Sequence, residues 1–180
     1  QFAIMGSRYT EKALNIENPS VGLLNIGKEE GKGNNLYKKA YELLSSNSKI
    51  NFVGNVEPRE LPYGVVDIVI ADGFDGNIFL KSYEGTAFMI MELLKENLAK
   101  IDDPELAGKM KEMIYGTFSR FQYSNLGGAP LLGLNKPLFK AHGISDAAAI
   151  LGASKQIKNF VDNSVITTMI NELKEFKWNE

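Results

Sequence analysis

The residues best suited to chemistry stand in three loops, and the first of these loops contains the single histidine of the chain. His142 lies in the run KAHGISD, residues 140–146, between a short apolar segment and a helical pattern. An imidazole has an ordinary pKa of about 6.5, so it can exchange a proton near neutral pH. An isolated histidine is more often structural, but its neighbours Gly143, Ser145 and Asp146 at a strand-to-helix junction favour a functional interpretation. Ser145 does not indicate a hydrolase, because the Gly-x-Ser-x-Gly turn is missing.

A second loop, DGFDGN at residues 72–77, has the composition of an anion-binding turn. It follows a strongly apolar strand pattern, which indicates a central strand, and Lys81 comes one helical turn after Asn77. An amide and an ammonium then converge near exposed N–H groups, where a phosphate or an oxyanion can bind. The competing interpretation, of equal weight, is that Asp75 caps a helix and Lys81 lies in solvent.

The third loop, NIGKEEGKG at residues 25–33, combines glycines with lysines. Glycines let backbone amides approach an anion, and Lys28 and Lys32 add positive charge. The spacing fits neither a Walker A loop nor a dinucleotide fingerprint, so a solvated turn is the commoner explanation for such a segment.

An alternation of strand and helix patterns positions these loops. Strand patterns cover residues 21–26, 50–54 and 65–71, with a short candidate at 138–141. Helical patterns cover an initial helix, whose apolar face is Phe2, Met5, Tyr9 and Leu14, and residues 36–44, which Asn34 caps. Two further helical patterns cover residues 78–100 and a stretch that residues 102–104 open. The last runs from Asp146, capped by Ser145, to Trp178, with a break near residues 163–164. This alternation is typical of parallel β-α-β units, whose ligands bind at the carboxyl ends of the strands.

Composition removes several classes of function. The chain has 180 residues, no cysteine and one histidine, which excludes disulfide scaffolds, thiol nucleophiles, thiolate zinc sites and multi-histidine metal sites. The 20 basic residues are outnumbered by 22 acidic ones, which argues against nucleic acid as a partner. No apolar run approaches the ~18 residues of a membrane span. We therefore expect a cytoplasmic protein.

A Met- and Phe-rich stripe over residues 106–121 has several uses. Its apolar positions alternate with Lys109, Lys111, Glu112 and Arg120. Such a stripe can line an acyl-chain groove, pack in a dimer or rest on a membrane surface. Plain core or dimer packing is the commonest role of an amphipathic helix.

Taken together, the motifs resemble one family. They are FAIMGS (2–7), GLLNIG (22–27) with EEGKGN (29–34), NFVGNVE (51–57), DGF (72–74) with GN (76–77), GGAPLLG (127–133), and KAHG (140–143) with SD (145–146). In order and spacing, from Gln1 to about Asp162, the chain is similar to the bacterial phosphate acyltransferases of phospholipid synthesis, the PlsX-type enzymes. Residues 102–125 resemble the family least, and the helical tail from about 163 to 180 has no match in it.

The resemblance implies a fold, an assembly and a boundary. Family members have a three-layer α/β sandwich with a mostly parallel sheet, similar to isocitrate and isopropylmalate dehydrogenases and to phosphate acetyltransferase. They form homodimers and require no metal or nucleotide cofactor. They are about twice the length of this chain, as expected for two domain-sized halves. We therefore expect residues 1–180 to be the C-terminal portion of a phosphate acyltransferase domain.

The resemblance also implies a reaction and its site. The family transfers an acyl group from acyl carrier protein to inorganic phosphate, and a membrane glycerol-3-phosphate acyltransferase uses the acyl phosphate. With the chemistry above, we assign His142 as proton donor or oxyanion donor, Asp146 as the group that orients it, and Lys81 and Asn77 as ligands of phosphate or the oxyanion. The expected substrate-binding residues are Asn25, Gly27, Asp72, Gly73, Phe74, Gly76, Gly128, Lys140 and Ser145.

Other functions are compatible with the sequence, and the resemblance also implies partners. The alternatives are a short-chain phosphate acyltransferase and a truncated, inactive binding or dimerisation module; a dehydrogenase is disfavoured because no nucleotide fingerprint is present. Acyl carrier protein is acidic as a class, so a local basic patch is expected despite the net charge of -2. Peripheral membrane contact through residues 113–121 is a further hypothesis.

Overall fold

The computed structural model describes residues 1–118, 127–141, 143 and 145–175. Six α-helices and five strands are found there: α1 (Phe2–Ala13), β1 (Ser20–Leu24), α2 (Asn35–Ser45), β2 (Asn51–Val56), β3 (Ile68–Ile70), α3 (Gly73–Leu98), α4 (Pro104–Phe118), β4 (Ala129–Pro130), β5 (Phe139–Lys140), α5 (Ala147–Asp162) and α6 (Val165–Glu175). A 3-10 helix, Pro58–Tyr63, joins β2 to β3. The chain divides into two compact units, one of residues 1–71 with 126–180 and one of residues 72–125.

The first unit is built on a small parallel sheet. Its three strands lie in the order β2-β1-β3, and β1 pairs in parallel with both neighbours. The predicted α/β class with parallel strands is therefore confirmed. The prediction that the third strand is central is wrong, because β1 occupies the centre and β3 lies at an edge of the described sheet. Gly22 of β1 allows this packing, since a Cβ there would lie 2.7 Å from Val56 Cγ1.

Helix α1 is buried between the sheet and the last two helices. Ala3 and Ile4 pack with Val21 and Ile50 on the sheet side. Met5 and Ala13 pack with a second cluster on α5 and α6, which contains Phe160, Val165 and Met169. The predicted apolar face of α1 is therefore only half right, because Phe2 and Leu14 are 64% and 52% exposed. Two packing partners on different sides, rather than one apolar stripe, decide which residues of α1 are buried.

Helix α3 begins earlier than the sequence indicates. Residues 73–77, predicted as a turn, form the first turns of the helix. The Asp72 carboxylate caps it by accepting a hydrogen bond of 2.8 Å from the Phe74 N–H. A capping aspartate satisfies a free N–H of the first turn, which offsets the low helix propensity of glycine. The alternative that Asp75 is the cap is wrong, because Asp72 occupies the cap position and Asp75 lies in the first turn of the helix.

The described residues of the second unit contain α3 and α4. No residue of α3 is buried, and Ile114 is the buried residue of α4. Leu106 and Met113, from the predicted apolar stripe, are 48% and 63% exposed, and Phe121 lies outside the described residues. Among the residues that the structure describes, no helix is both long and apolar enough to cross a membrane.

The last third of the chain returns to the first unit. Strands β4 and β5 form an antiparallel pair; β5 was predicted, whereas β4 lies in a segment predicted as a loop. Asp146 caps α5, so the predicted cap, Ser145, is one residue too early. The predicted break near residues 163–164 is confirmed, because Ser164 adopts a φ of 54° between α5 and α6. Trp178 lies outside the described residues.

Candidate functional site

The carboxyl edge of the sheet carries two buried asparagines side by side. Asn25 follows β1, and Asn55 is the penultimate residue of β2; they are 5% and 6% exposed. The Asn25 side-chain Nδ2 donates to Asn55 Oδ1 at 3.1 Å, and the Asn25 backbone N–H donates to the Val56 carbonyl at 2.9 Å. The ends of β1 and β2 are thus joined by a buried amide pair.

The same two amides hold the loop that follows β1. Asn25 Nδ2 also donates to the Lys32 carbonyl at 3.1 Å, and Asn55 Nδ2 donates to the Glu29 carbonyl at 2.9 Å. Asn25 Oδ1 accepts a hydrogen bond of 2.8 Å from the Ile26 N–H. Asn25, predicted as a substrate-binding residue, therefore directs its side-chain amide at the backbone of its own loop.

Glycines allow the loop to lie this close to the amide pair. Gly33 has a φ of 85°, and a Cβ on it would lie 2.8 Å from Asn25 Oδ1. Gly27, a predicted binding residue, is buried in the loop, and a Cβ there would lie 2.9 Å from Glu29 Oε2. A larger residue at Gly33 would push the loop away from the buried amide pair, whereas at Gly27 it would meet the flexible end of the Glu29 side chain.

The lysines of this loop are both near carboxylates. Lys28 Nζ lies 2.5 Å from Glu60 Oε1, on the 3-10 helix, and Lys32 Nζ lies 3.9 Å from Glu29 Oε2. The hydrogen bond from Lys28, followed by that from the Glu57 N–H, lowers the pKa of Glu60. Both lysine side chains remain about half exposed or more, so these ion pairs are weak and can be exchanged for another anion.

The second predicted cluster lies at the start of α3. Asp72 is the cap, Gly73 is the first helical residue, and Phe74 is 73% exposed. The Gly76 N–H donates to the Asp72 carbonyl at 2.8 Å, so this amide already has an acceptor within the helix. By helix geometry the Gly73 N–H has no intrahelical acceptor.

Asn77 and Lys81 lie one turn apart on the exposed surface of α3. The spacing of four residues places them on the same face of the helix. Lys81 Nζ lies 3.2 Å from Glu84 Oε2, an ion pair in which the lysine is 60% exposed. The helix thus places the predicted amide and ammonium on one face, with a carboxylate beside the ammonium.

The third predicted cluster lies around β5 and the start of α5. Asp146 Oδ1 accepts a hydrogen bond of 2.8 Å from the Ala149 N–H, Ser145 is half-buried, and Lys140 is exposed at the end of β5. Gly128 lies against β5, because a Cβ on it would be 3.1 Å from the Lys140 carbonyl oxygen. His142 lies outside the described residues.

Asn55 is the residue that the sequence interpretation missed. A signal was present, because Asn55 directly follows the strand pattern of residues 50–54 and Asn25 stands near the end of the pattern of residues 21–26, and neighbouring parallel strands end at the same edge. The described residues contain no group of three or more His, Cys, Asp or Glu side chains arranged to hold a metal ion.

Comparison with known proteins identifies the family. The family described as "Fatty acid synthesis protein" matches residues 1–168. Proteins named phosphate acyltransferase are similar over almost the whole chain: one from Thermoanaerobacter pseudethanolicus is 50% identical, with 97% of this chain and 52% of the relative aligned. One from Oceanobacillus iheyensis is 51% identical over 94% of this chain and 51% of its own length. One from Bacillus pumilus is 46% identical over 100% of this chain and 54% of its own length.

These alignments also show how much of such a protein is present. The chain spans about half the length of the curated relatives that it matches. The family match covers 168 of the 180 residues, including all three loops described above. This chain therefore belongs to the fatty acid synthesis protein family.

Proposed function

We propose that this chain is the C-terminal portion of an acyltransferase that converts acyl-[acyl carrier protein] and inorganic phosphate into acyl phosphate for phospholipid synthesis. The observation that carries the proposal is the 50% identity to a phosphate acyltransferase over 97% of the chain. The small parallel sheet flanked by helices supports the further proposal of a three-layer sandwich of the isocitrate dehydrogenase type.

The proposed chemistry is a direct attack by phosphate on the thioester. A phosphate oxygen forms a bond to the carbonyl carbon, the carbon–sulfur bond breaks, and the leaving thiolate takes a proton. The site must hold the phosphate, orient it and stabilise the tetrahedral oxyanion. In the proposal His142 supplies the proton or a hydrogen bond to the oxyanion.

The start of α3 supports a role in binding phosphate or the oxyanion. Asn77 offers a side-chain amide and Lys81 an ammonium on the same exposed face, and the Gly73 N–H stands at the positive end of the helix. The Lys81–Glu84 pair is exposed, so its net stabilisation is small, about 0–1 kcal/mol, and a phosphate dianion can replace the carboxylate. Gly76 contributes to the shape of the turn rather than a donor.

In the proposal Asp146 has two roles, and two substitutions at this position distinguish them. Its Oδ1 caps α5, and its charge would orient His142 and stabilise the imidazolium. Asp146→Asn keeps an oxygen for the cap but removes the charge, whereas Asp146→Ala removes both. The two variants therefore distinguish a cap from a positioning residue.

The test is acyl-phosphate formation from an acyl-[acyl carrier protein], measured with the full-length protein and with this chain alone. His142→Ala is expected to lower kcat by about 100-fold or more, a usual loss for a general acid. Asp146→Asn is expected to lower kcat with a shifted pH profile while the melting temperature is retained. Near-wild-type transfer by His142→Ala would refute the assignment of His142.

The same assay decides between the proposal and its competitors. The coverage of about half of each relative favours one alternative, an inactive binding or dimerisation module, for this chain in isolation. Transfer by the full-length protein but not by residues 1–180 would establish that alternative for the isolated chain. A preference for short acyl thioesters would indicate a short-chain phosphate acyltransferase.

We further propose, from the family resemblance, that acyl carrier protein and a second copy of the chain are the protein partners. Candidates for the basic patch facing acyl carrier protein are Arg8, Lys12, Lys109 and Lys111; a fifth, Arg120, lies outside the described residues. Arg8 Nη1 lies 2.5 Å from Glu11 Oε2 and Lys109 Nζ lies 2.6 Å from Glu105 Oε1, so both already face a carboxylate. Peripheral membrane contact is proposed through Met113, which is 63% exposed, and Phe118. Ile114, from the same predicted set, is buried and does not fit this role, and Phe121 lies outside the described residues. Liposome sedimentation that is unchanged in Met113→Asp would count against this contact.

A further inference from the structure

The buried pair Asn25–Asn55 controls the direction of two peptide groups in the loop after β1. Residues Glu29–Lys32 form a tight turn, in which the Lys32 N–H donates to the Glu29 carbonyl at 3.0 Å. Asn55 Nδ2 donates to that same carbonyl at 2.9 Å, and Asn25 Nδ2 donates to the Lys32 carbonyl at 3.1 Å. Both ends of the turn are therefore anchored, through their carbonyl oxygens, on one pair of side chains.

Anchoring the carbonyls fixes where the next N–H groups point. A peptide group is planar and trans, so its N–H is directed opposite to its C=O. The carbonyls of Glu29 and Lys32 point at the buried amides, so the N–H groups of Glu30 and Gly33 point away from them. Within the part of the chain that the structure describes, neither N–H has a hydrogen-bond acceptor.

The pair is built to keep this arrangement. Both side chains are more than nine-tenths buried, and Asn25 uses both of its Nδ2 hydrogens and its Oδ1 in protein contacts. Releasing either carbonyl would leave a buried amide donor without a partner, which costs about 1–3 kcal/mol. Gly33, whose φ of 85° favours glycine, lets the backbone lie directly on the Asn25 amide.

The charges of the loop indicate that these N–H groups, rather than net charge, would attract an anion. Lys28 and Lys32 are balanced by Glu29 and Glu30, so the four side chains carry no net charge. Lys28 is further engaged with Glu60. Fixed backbone N–H groups bind phosphoryl oxygens by directed hydrogen bonds and need no reorganisation when the ligand arrives.

We propose that Asn25 and Asn55 are positioning residues of the phosphate subsite, which hold the Glu30 and Gly33 N–H groups outward to bind inorganic phosphate. The proposal rests on the proposed function for the identity of the substrate. Neither asparagine touches the phosphate; both act through the peptide groups that they orient.

The kinetic test uses the full-length protein with inorganic phosphate and the acyl donor varied separately. Asn55→Ala releases the Glu29 carbonyl, and we expect the KM for phosphate to rise about tenfold while the KM for the acyl donor changes less than about twofold. Asn55→Asp keeps the volume and the acceptor for Asn25 but loses the donor to Glu29, so it should have the same effect. A loss of stability alone would not produce this selective change in KM.

The matched control is on the same strand. Asn51 Nδ2 donates to the Asn18 carbonyl at 3.1 Å, at the amino end of β2. Asn51→Ala therefore removes an asparagine-to-backbone hydrogen bond of similar length at the opposite end of the sheet. Its KM for phosphate should equal that of the wild type. An equal rise in Asn51→Ala, or an unchanged KM for phosphate in a folded Asn55→Asp, overturns the proposal.

A binding measurement separates this proposal from the proposed function. Inorganic phosphate is titrated into isotope-labelled protein, and the amide resonances of Glu30 and Gly33 are followed by NMR. We expect saturable shifts at both amides in the wild type and about tenfold weaker binding in Asn55→Asp. Absence of these shifts in the wild type overturns the positioning role even if acyl transfer is found. Their presence in a protein without acyl transfer supports the subsite and refutes only the proposed reaction.

Discussion

At the scale of single residues, the closest approach among the described glycines is that of Gly127 to α5. A Cβ on Gly127 would lie 2.1 Å from the Ala153 backbone N and 2.5 Å from the Gly152 carbonyl carbon, and its φ is 77°. Gly127→Ala should therefore destabilise the fold by about 3 kcal/mol, from about 1 kcal/mol of left-handed strain and about 2 kcal/mol of overpacking. Equilibrium urea unfolding of the purified protein measures this difference.

Gly64 provides the control for that substitution. Its φ is 65°, but a Cβ there would meet nothing within 4 Å. Gly64→Ala should therefore show the strain of a positive φ alone, about 1 kcal/mol. If the two alanine variants were equally stable, the close approach of Gly127 to α5 would not be a real constraint on the fold.

The candidate site shows what sequence reasoning reaches at this scale. Asn25 and the glycines around it could be selected because their types and order are unusual within an apolar strand-loop pattern. That Asn25 bonds to Asn55, thirty residues later, could not be selected, because the partner depends on strand register. A motif therefore identifies polar residues at the end of a strand, but the acceptors of their hydrogen bonds decide whether they face a ligand or their own backbone.

At the scale of elements, one side-chain bridge fixes the amino ends of β1 and β3. Asp67 Oδ2 accepts hydrogen bonds from the Ser20 N–H at 2.7 Å and the Ser20 hydroxyl at 2.6 Å. The Ser20 Oγ in turn accepts from the Asp67 N–H at 3.0 Å. These hydrogen bonds, with that of the Ser20 hydroxyl first, lower the pKa of the Asp67 carboxyl below its ordinary value of 3.8.

This bridge makes the stability of the sheet depend on pH. Since the pKa of Asp67 is lower in the folded state, the unfolded state binds the proton more tightly, and stability is lost as pH falls from about 4 downward. Asp67→Asn should lower the melting temperature at pH 7, and its difference from the wild type should shrink below pH 3. Thermal unfolding followed by circular dichroism from pH 2 to pH 7 measures both.

Asp102→Asn is the control for Asp67→Asn, because it removes one carboxylate but leaves the bridge between Ser20 and Asp67 intact. Asp102 is exposed, and the described residues provide it with no hydrogen bond. Its melting temperature should follow that of the wild type over the same pH range. Parallel curves for Asp67→Asn and the wild type at every pH would contradict the role given to the bridge.

Element boundaries show where local signals and tertiary structure diverge. The Asn34 cap of α2 was predictable, because its side chain accepts from the Tyr37 N–H within the same local segment. The start of α3 was not, because glycines in residues 73–76 indicate a turn until Asp72 is known to be the cap. Strand β4 is two residues long and includes Pro130, so it is identified only by its pairing with β5.

At the scale of the whole molecule, burial is distributed very unevenly between the two units. The unit of residues 1–71 with 126–180 contains the two apolar clusters around α1, including Val21 and Val165 with no exposed surface. In the unit of residues 72–125, α3 runs for 26 residues without a buried one, and Phe88, Met89 and Leu93 are all at least half exposed. Segments with few buried apolar contacts open with a lower free energy than the core.

Hydrogen exchange should therefore divide the chain at these boundaries. At low protein concentration we expect amides of α3 and α4 to exchange about tenfold faster or more than those of α1 and α6, measured by mass spectrometry on peptides of the native protein. The family resemblance implies a homodimer. If the second copy covers these exposed apolar residues, protection of α3 and α4 should rise with protein concentration while that of α1 does not change. Equal protection of all four helices at every concentration would show that the exposed residues of α3 leave its opening free energy unaffected. If protection of α3 and α4 is low and does not depend on protein concentration, a second copy does not cover these helices. The explanation by uneven burial would still hold.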